Sequence, residues 1–223
     1  MPRVMRVVFW LCLLLAGAPF AGGASAAAGP CDSSIFPIKV GTRWNYRMAG
    51  SDAHSSTITI TQVSDGGFTE RHEFSDVKFD VGWRCLPEGL RAMQRATFGV
   101  NPGGPEGMKF ETMSAAGVRF PPRSRWTIGV TWTETYTLRM SMPIPNAPMK
   151  FDPMTFTHRY RIVGRERVSV PAGSFDAFKL AITEEGEDEP PAHFWVADGV
   201  GVVRADVPDD GKVHRVELVK FQR

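Results

Sequence analysis

A chain of 223 residues with 26 basic and 24 acidic side chains carries a net charge of only +2 at neutral pH. Without a basic excess it has no general electrostatic attraction to nucleic acid or to anionic membranes, which excludes nucleic-acid binding driven by net charge. The length and a 43% hydrophobic content suit a single domain with its own core.

The N-terminus comes first. Arg3 and Arg6 precede an apolar run from Val7 to Ala16, and small residues follow from Gly22 to Ala28. About ten apolar residues are too few for a bilayer-spanning helix, which needs about twenty. The pattern predicts a secretory signal over residues 1–28 and an exported domain over 29–223, periplasmic or extracellular, with no transmembrane segment. Arg3 and Arg6 leave with the signal, so 24 bases face 24 acids in the mature domain. Cys12 leaves too. Of three cysteines, Cys31 and Cys85 remain, and an even pair in an exported protein predicts a disulfide. Pro30 stands where lipid attachment at Cys31 would call for a small residue.

From residue 43 onward the hydrophobic period is two. Strands are predicted at Arg43–Met48, Ser56–Val63, Phe68–Phe74, Val77–Arg84 and Leu90–Phe98, with turns at Asp65-Gly-Gly67 and Pro87-Glu-Gly89. Asn101 to Gly107 is a loop by composition. The longest alternation runs from Thr127 to Met140. Ile128, Val130, Trp132, Tyr136, Leu138 and Met140 share one face, and Thr131, Thr133, Thr135 and Thr137 the other. Successive strand side chains point to opposite faces, so the first set is assigned to the core or concave side. Ser141 to Pro153 holds four prolines, each lacking a ladder donor, and reads as a connection over one end of the sheet. Thr155–Val163, Phe175–Ile182 and Val213–Phe221 complete the strand pattern. The alternation makes the fold class all-β, in a single domain of antiparallel strands.

Motifs for chemistry are missing. There is no H-E-x-x-H, G-x-S-x-G or phosphate-binding glycine loop. Ser75-Asp-Val-Lys78 matches S-x-x-K in letters, but residues three apart on a strand face opposite sides. The five histidines lack metal spacing. Glu184-Glu-Gly-Glu-Asp-Glu189 reads as a solvated loop, and as a calcium site it lacks the ligand pattern. Met140, Met142, Met149 and Met154 suit an irregular core edge, with an apolar groove or Cu(I) thioether ligation as the alternatives. Trp44, Trp83, Trp126, Trp132 and Trp195 read as a core of large rings or the wall of a cavity.

Two segments near the C-terminus carry a resemblance. Val168-Ser-Val-Pro-Ala-Gly-Ser-Phe-Asp-Ala-Phe-Lys-Leu180 and Phe194-Trp-Val-Ala-Asp-Gly-Val-Gly-Val-Val-Arg204 read as strands joined by turns. They resemble a signature of uncharacterised bacterial exported β-proteins, the domain-of-unknown-function 3108 type. Phe36-Pro-Ile-Lys-Val-Gly-Thr-Arg-Trp-Asn-Tyr46, Phe120-Pro-Pro and Val130-Thr-Trp132 are similar to its opening and central strands. The resemblance implies export and an antiparallel curved sheet or half-open β-barrel, and it supplies no catalytic residues.

The combined expectation is a non-catalytic, disulfide-stapled exported domain. It takes an apolar, lipid-like ligand or an envelope protein partner on its concave face, at Trp132, Tyr136, Leu138, Met140 and Phe156, with no metal or other cofactor. The alternatives are a scaffold with a filled core and, third, an enzyme with dispersed catalytic residues. A cavity separates the first two readings.

Overall fold

A computed structural model describes residues 31, 33–49, 55–74, 77–94, 109–142, 149–209 and 211–223. The strands are β1 (Arg43–Met48), β2 (Ser55–Ser64), β3 (Gly67–Phe74), β4 (Val77–Leu86), β5 (Gly89–Ala92), β6 (Lys109–Gly117) and β7 (Thr131–Met142). They continue with β8 (Met149–Lys150), β9 (Met154–Val170), β10 (Gly173–Glu184), β11 (Ala192–Ala197), β12 (Gly201–Asp209) and β13 (Lys212–Gln222). One 3-10 turn, Arg123–Arg125, is the only helical element among the described residues.

All ladders are antiparallel, in the order β5-β4-β3-β2-β1-β13-β12-β11-β10-β9-β7-β6, with β8 beside β7. The two edges of this sheet meet at one place. Leu90 N–H donates to the Phe120 carbonyl (2.8 Å), and Arg119 N–H to the Leu90 carbonyl (2.9 Å). The sheet is therefore a half-open barrel, joined at one end, as the resemblance led us to expect. Gly89 permits the closure: its φ is +132°, and a Cβ there would stand 2.2 Å from the Phe120 carbonyl oxygen.

This closed end is plugged by rings. Ile35 and Phe36 of the N-terminal arm are buried, and the Phe36 ring lies 4.5 Å from that of Phe120 and 6.4 Å from that of Trp44. Trp126 packs edge-on to Phe178 at 5.4 Å. Cys31 and Cys85 are bridged, with Cα atoms 5.0 Å apart, which staples the arm to β4 as expected. The Pro171 turn also does more than reverse the chain. Ala172 N–H donates to the Leu218 carbonyl (3.0 Å), so the tip of the β9–β10 hairpin reaches β13 directly.

Several elements differ from the sequence expectation. The strand expected from Thr127 begins at Thr131, and Ile128 is 62% exposed rather than on the inner face. A turn closed by Val130 N–H to the Thr127 carbonyl interrupts the alternation there. β6 had no expectation, because Ser114-Ala-Ala-Gly117 lacks large alternating residues. Within the expected connection Ser141–Pro153, Met149 and Lys150 form β8. The signal over residues 1–28, the end of the Leu90–Phe98 strand beyond Gln94, the loop from Asn101 to Gly107, Ser75 and residues 143–148 lie outside the described residues.

Candidate functional site

The inner face of β7 shows the expected parity. Trp132, Tyr136 and Leu138 are buried, and Met140 is half-buried. Phe156, also half-buried, sits directly opposite Tyr136 in the β7–β9 ladder, on the same face. Thr135 meets Thr157 and Thr137 meets Thr155 across the outer face, each pair at 3.1 Å. The five expected site residues therefore share one surface, but they differ in what they can offer a ligand.

Trp132 and Tyr136 have already used their polar groups. The Trp132 ring stacks on that of Tyr160 at 5.3 Å, and its N–H donates to the Arg119 carbonyl at 3.2 Å. The Tyr136 hydroxyl donates to Glu134 Oε1 at 2.5 Å. Glu134 is fully buried, and its other oxygen accepts from Tyr160 Oη (2.8 Å) and Arg119 Nε (3.1 Å). Arg119 Nη2 donates in turn to the Tyr136 oxygen at 3.3 Å. A buried carboxylate is tolerated only when paired and hydrogen-bonded, and this one has three donors.

The electrostatics follow from that arrangement. Burial, reinforced by the charge on Glu134, pushes the Tyr160 phenol well above its ordinary pKa. Tyr136 is also raised by burial, with Arg119 opposing and Glu134 adding to the shift. Burial is the largest single influence on Arg119 and would weaken its cation, but the charge and hydrogen bond of Glu134 together with Tyr136 and Tyr160 outweigh it and raise the guanidinium above its ordinary pKa. The cluster keeps a charge pair inside the barrel and presents neither partner to solvent.

A second buried carboxylate faces it from the other wall. Glu70 Oε2 accepts from Trp83 Nε1 at 2.9 Å and lies 3.2 Å from His72 Nε2. The Arg119 guanidinium stands 5.7 Å above the Trp83 ring. The two clusters are thus neighbours through one tryptophan. Neither was foreseen, though Glu134 was visible as an acid on the apolar parity between Trp132 and Tyr136. Glu70 shares the parity of Phe68 and Phe74 in the same way, whereas Arg119 carried no such signal, because its role depends on pairing with a distant strand.

Toward the opposite end the inner face changes character. Leu138 lies across from Met154 in the ladder, and Phe151 N–H donates to the Met140 carbonyl at 3.0 Å. Met154 is 46% exposed, Met149 48% and Phe151 36%. With Met140 and Phe156 they form an apolar rim where the sheet edges do not meet.

The remaining candidates resolve structurally. Lys78 pairs with Glu73 at 2.7 Å. Glu184 and Glu185 pair with His158 (3.1 Å) and Arg159 (3.0 Å) across the β9–β10 ladder. No cluster of metal-ligating side chains occurs among the described residues. Trp195 is buried, but on the face of β11 opposite to Phe194. It lies between Lys179 and Arg204 (5.0 and 4.2 Å) and donates to Glu166.

No protein-family model and no curated protein matches the chain. Two solved structures share its fold. One is a proposed exported protein with a YmcC-like fold from Bacteroides fragilis NCTC 9343, 13% identical, TM-score 0.53. The other is a proposed lipoprotein from Parabacteroides distasonis ATCC 8503, 15% identical, TM-score 0.56. Each alignment covers 86% of this chain and 100% of the other. The class so defined is the half-open antiparallel barrel of YmcC-like type.

Proposed function

We propose that this chain is an exported, non-catalytic β domain that binds an apolar, lipid-like ligand at the rim end of its inner face. The observation that carries the reading is the gradient along that face. Buried, hydrogen-bonded rings at Trp132, Tyr136 and Tyr160 give way to accessible thioethers and phenyl rings at Met140, Phe156, Met154 and Phe151. Apolar side chains grouped at a concave opening mark a binding site more often than a packing defect. Methionine is suited to such a lining, because its unbranched thioether adapts to ligands of varied shape. Export rests on the N-terminal residues 1–28, on the disulfide and on the resemblance to the 3108-type exported proteins.

An envelope protein partner is the second reading, supported by the same exposed rim. A fluorescent fatty acid separates the two. Its emission should rise on binding to the wild type, and Met140→Lys should suppress that rise while leaving the circular dichroism unchanged, since a lysine at the rim can reach water. No response from the wild type, or an unchanged response from a folded Met140→Lys protein, would contradict the ligand reading.

A further inference from the structure

The strand registers sort the charges of the rim wall by face. Glu134 lies opposite His158 in the β7–β9 ladder, and His158 lies opposite Glu184 in the β9–β10 ladder. All three therefore share the inner face with Tyr136 and Phe156. The basic side chains of β7, β8 and the rim half of β9, residues 154–162, fall on the other parity. Arg159 faces Thr133, Arg161 faces Thr131, Lys150 faces Ser141, and Arg139 is two residues beyond Thr137. This wall turns its acids inward and its lysine and arginines outward.

The inner-facing acids are not equivalent. Glu134 is bonded by Arg119 and two phenols, and Glu70 by Trp83 beside His72. Glu184 stands nearer to water. Its Oε2 lies 3.1 Å from His158 Nε2, and its side chain is 24% exposed against 0% for Glu134. His158 is two residues from Phe156 and four from Met154 on the same face, roughly 7 and 14 Å along the strand. On β12 and β13, Lys212 faces Asp209, and His214 lies 3.5 Å from the same carboxylate.

We infer that the rim ligand is an amphiphile with a protonated amine head group. Its tail lies on Phe156, Met154 and Met140, and its head meets the Glu184 carboxylate beside His158. This rests on the ligand reading above and specifies it. Charge-assisted hydrogen bonds from an ammonium to a carboxylate are about twice as strong as neutral ones. Partial burial protects them from screening by salt. A carboxylate head in the same place would meet the like charge of Glu184. A fatty acid binds instead through its tail alone, with its head turned to water, and more weakly.

Displacement of the neutral fluorescent probe N-phenylnaphthylamine by three dodecyl compounds tests it. On the wild type, protonated dodecylamine should displace the probe at about tenfold lower concentration than dodecanoate, with dodecanol between them. Glu184→Gln, with unchanged circular dichroism, should bring the three within about twofold of one another. Glu185→Gln removes the same charge one residue away, from a side chain paired with the outward Arg159, and should keep the amine preference. Glu184→Lys should reverse the preference, since an ammonium at a half-exposed position can reach water. Equal displacement by dodecylamine and dodecanoate, or the same loss of preference in Glu184→Gln and Glu185→Gln, would overturn the head-group inference and leave the rim reading standing. Displacement by none of the three would overturn the rim reading and this inference with it.

Discussion

The two ends of the half-barrel are built from similar residues and put them to different use. At the closed end, Phe36, Trp44, Trp126 and Phe120 pack among other rings, Glu134 accepts from three donors, and Glu70 accepts from Trp83. At the rim, Met140, Met149, Phe151 and Met154 keep accessible surface and contribute no polar cluster. The difference teaches where the fixed, packed interior ends and accessible apolar surface begins. A buried carboxylate with three donors fixes one geometry, while thioethers at a rim tolerate many.

That contrast can be broken most forcefully at Arg119. Arg119→Met leaves Glu134 buried with two phenols and no counter-charge, and should cost about 3–5 kcal/mol in denaturant unfolding. A loss near zero would show that the cluster does not hold the closed end. Next is the staple. Reducing Cys31–Cys85 opens a span of 54 residues and should cost about 2–4 kcal/mol, seen as a lower thermal midpoint with reductant. Gly173, at φ +134° in the Pro171 turn, sets a smaller test. Gly173→Val should cost about 1 kcal/mol or more from backbone strain alone, since a Cβ there meets nothing closer than the Phe175 ring at 3.9 Å. Met154→Ala at the rim should lie within about 0.5 kcal/mol of wild type.

The pH dependence sharpens the same comparison. The chain has three tyrosines, and burial raises the pKa of Tyr46, Tyr136 and Tyr160, with Glu70 adding to the first and Glu134 to the other two. A phenol whose folded pKa lies above its unfolded value of about 10 stabilises the fold fully below that pH and loses its contribution as pH rises. Tyrosinate absorbance should therefore stay flat through the ordinary tyrosine range and appear together with alkaline unfolding. A tyrosinate step in protein that retains its circular dichroism would show that a ring is accessible.

Most of the wall was legible before the structure. β1 matches the alternation from Arg43 to Met48 residue for residue, and the β7 parity could be read from its threonines. Two physical causes limited the rest. Small side chains at Ser114 to Gly117 leave no amphipathic signal, although a strand needs only backbone partners, here β7. Pairings between remote strands cannot be read locally, so the closure of Leu90 on Phe120 and the meeting of Arg119 with Glu134 were invisible. Of the residues assigned to a ligand site, Trp132 and Tyr136 are buried with their polar groups hydrogen-bonded, while Met140 and Phe156 are half-buried.

Native mass spectrometry of the protein purified from its own cells tests the central claim most directly. The account predicts an acyl-lipid adduct on the wild type that is lost in a folded Phe156→Lys variant and retained in Ile128→Asp. A wild-type spectrum holding only the bare chain mass, or an adduct indifferent to Phe156→Lys, would contradict it.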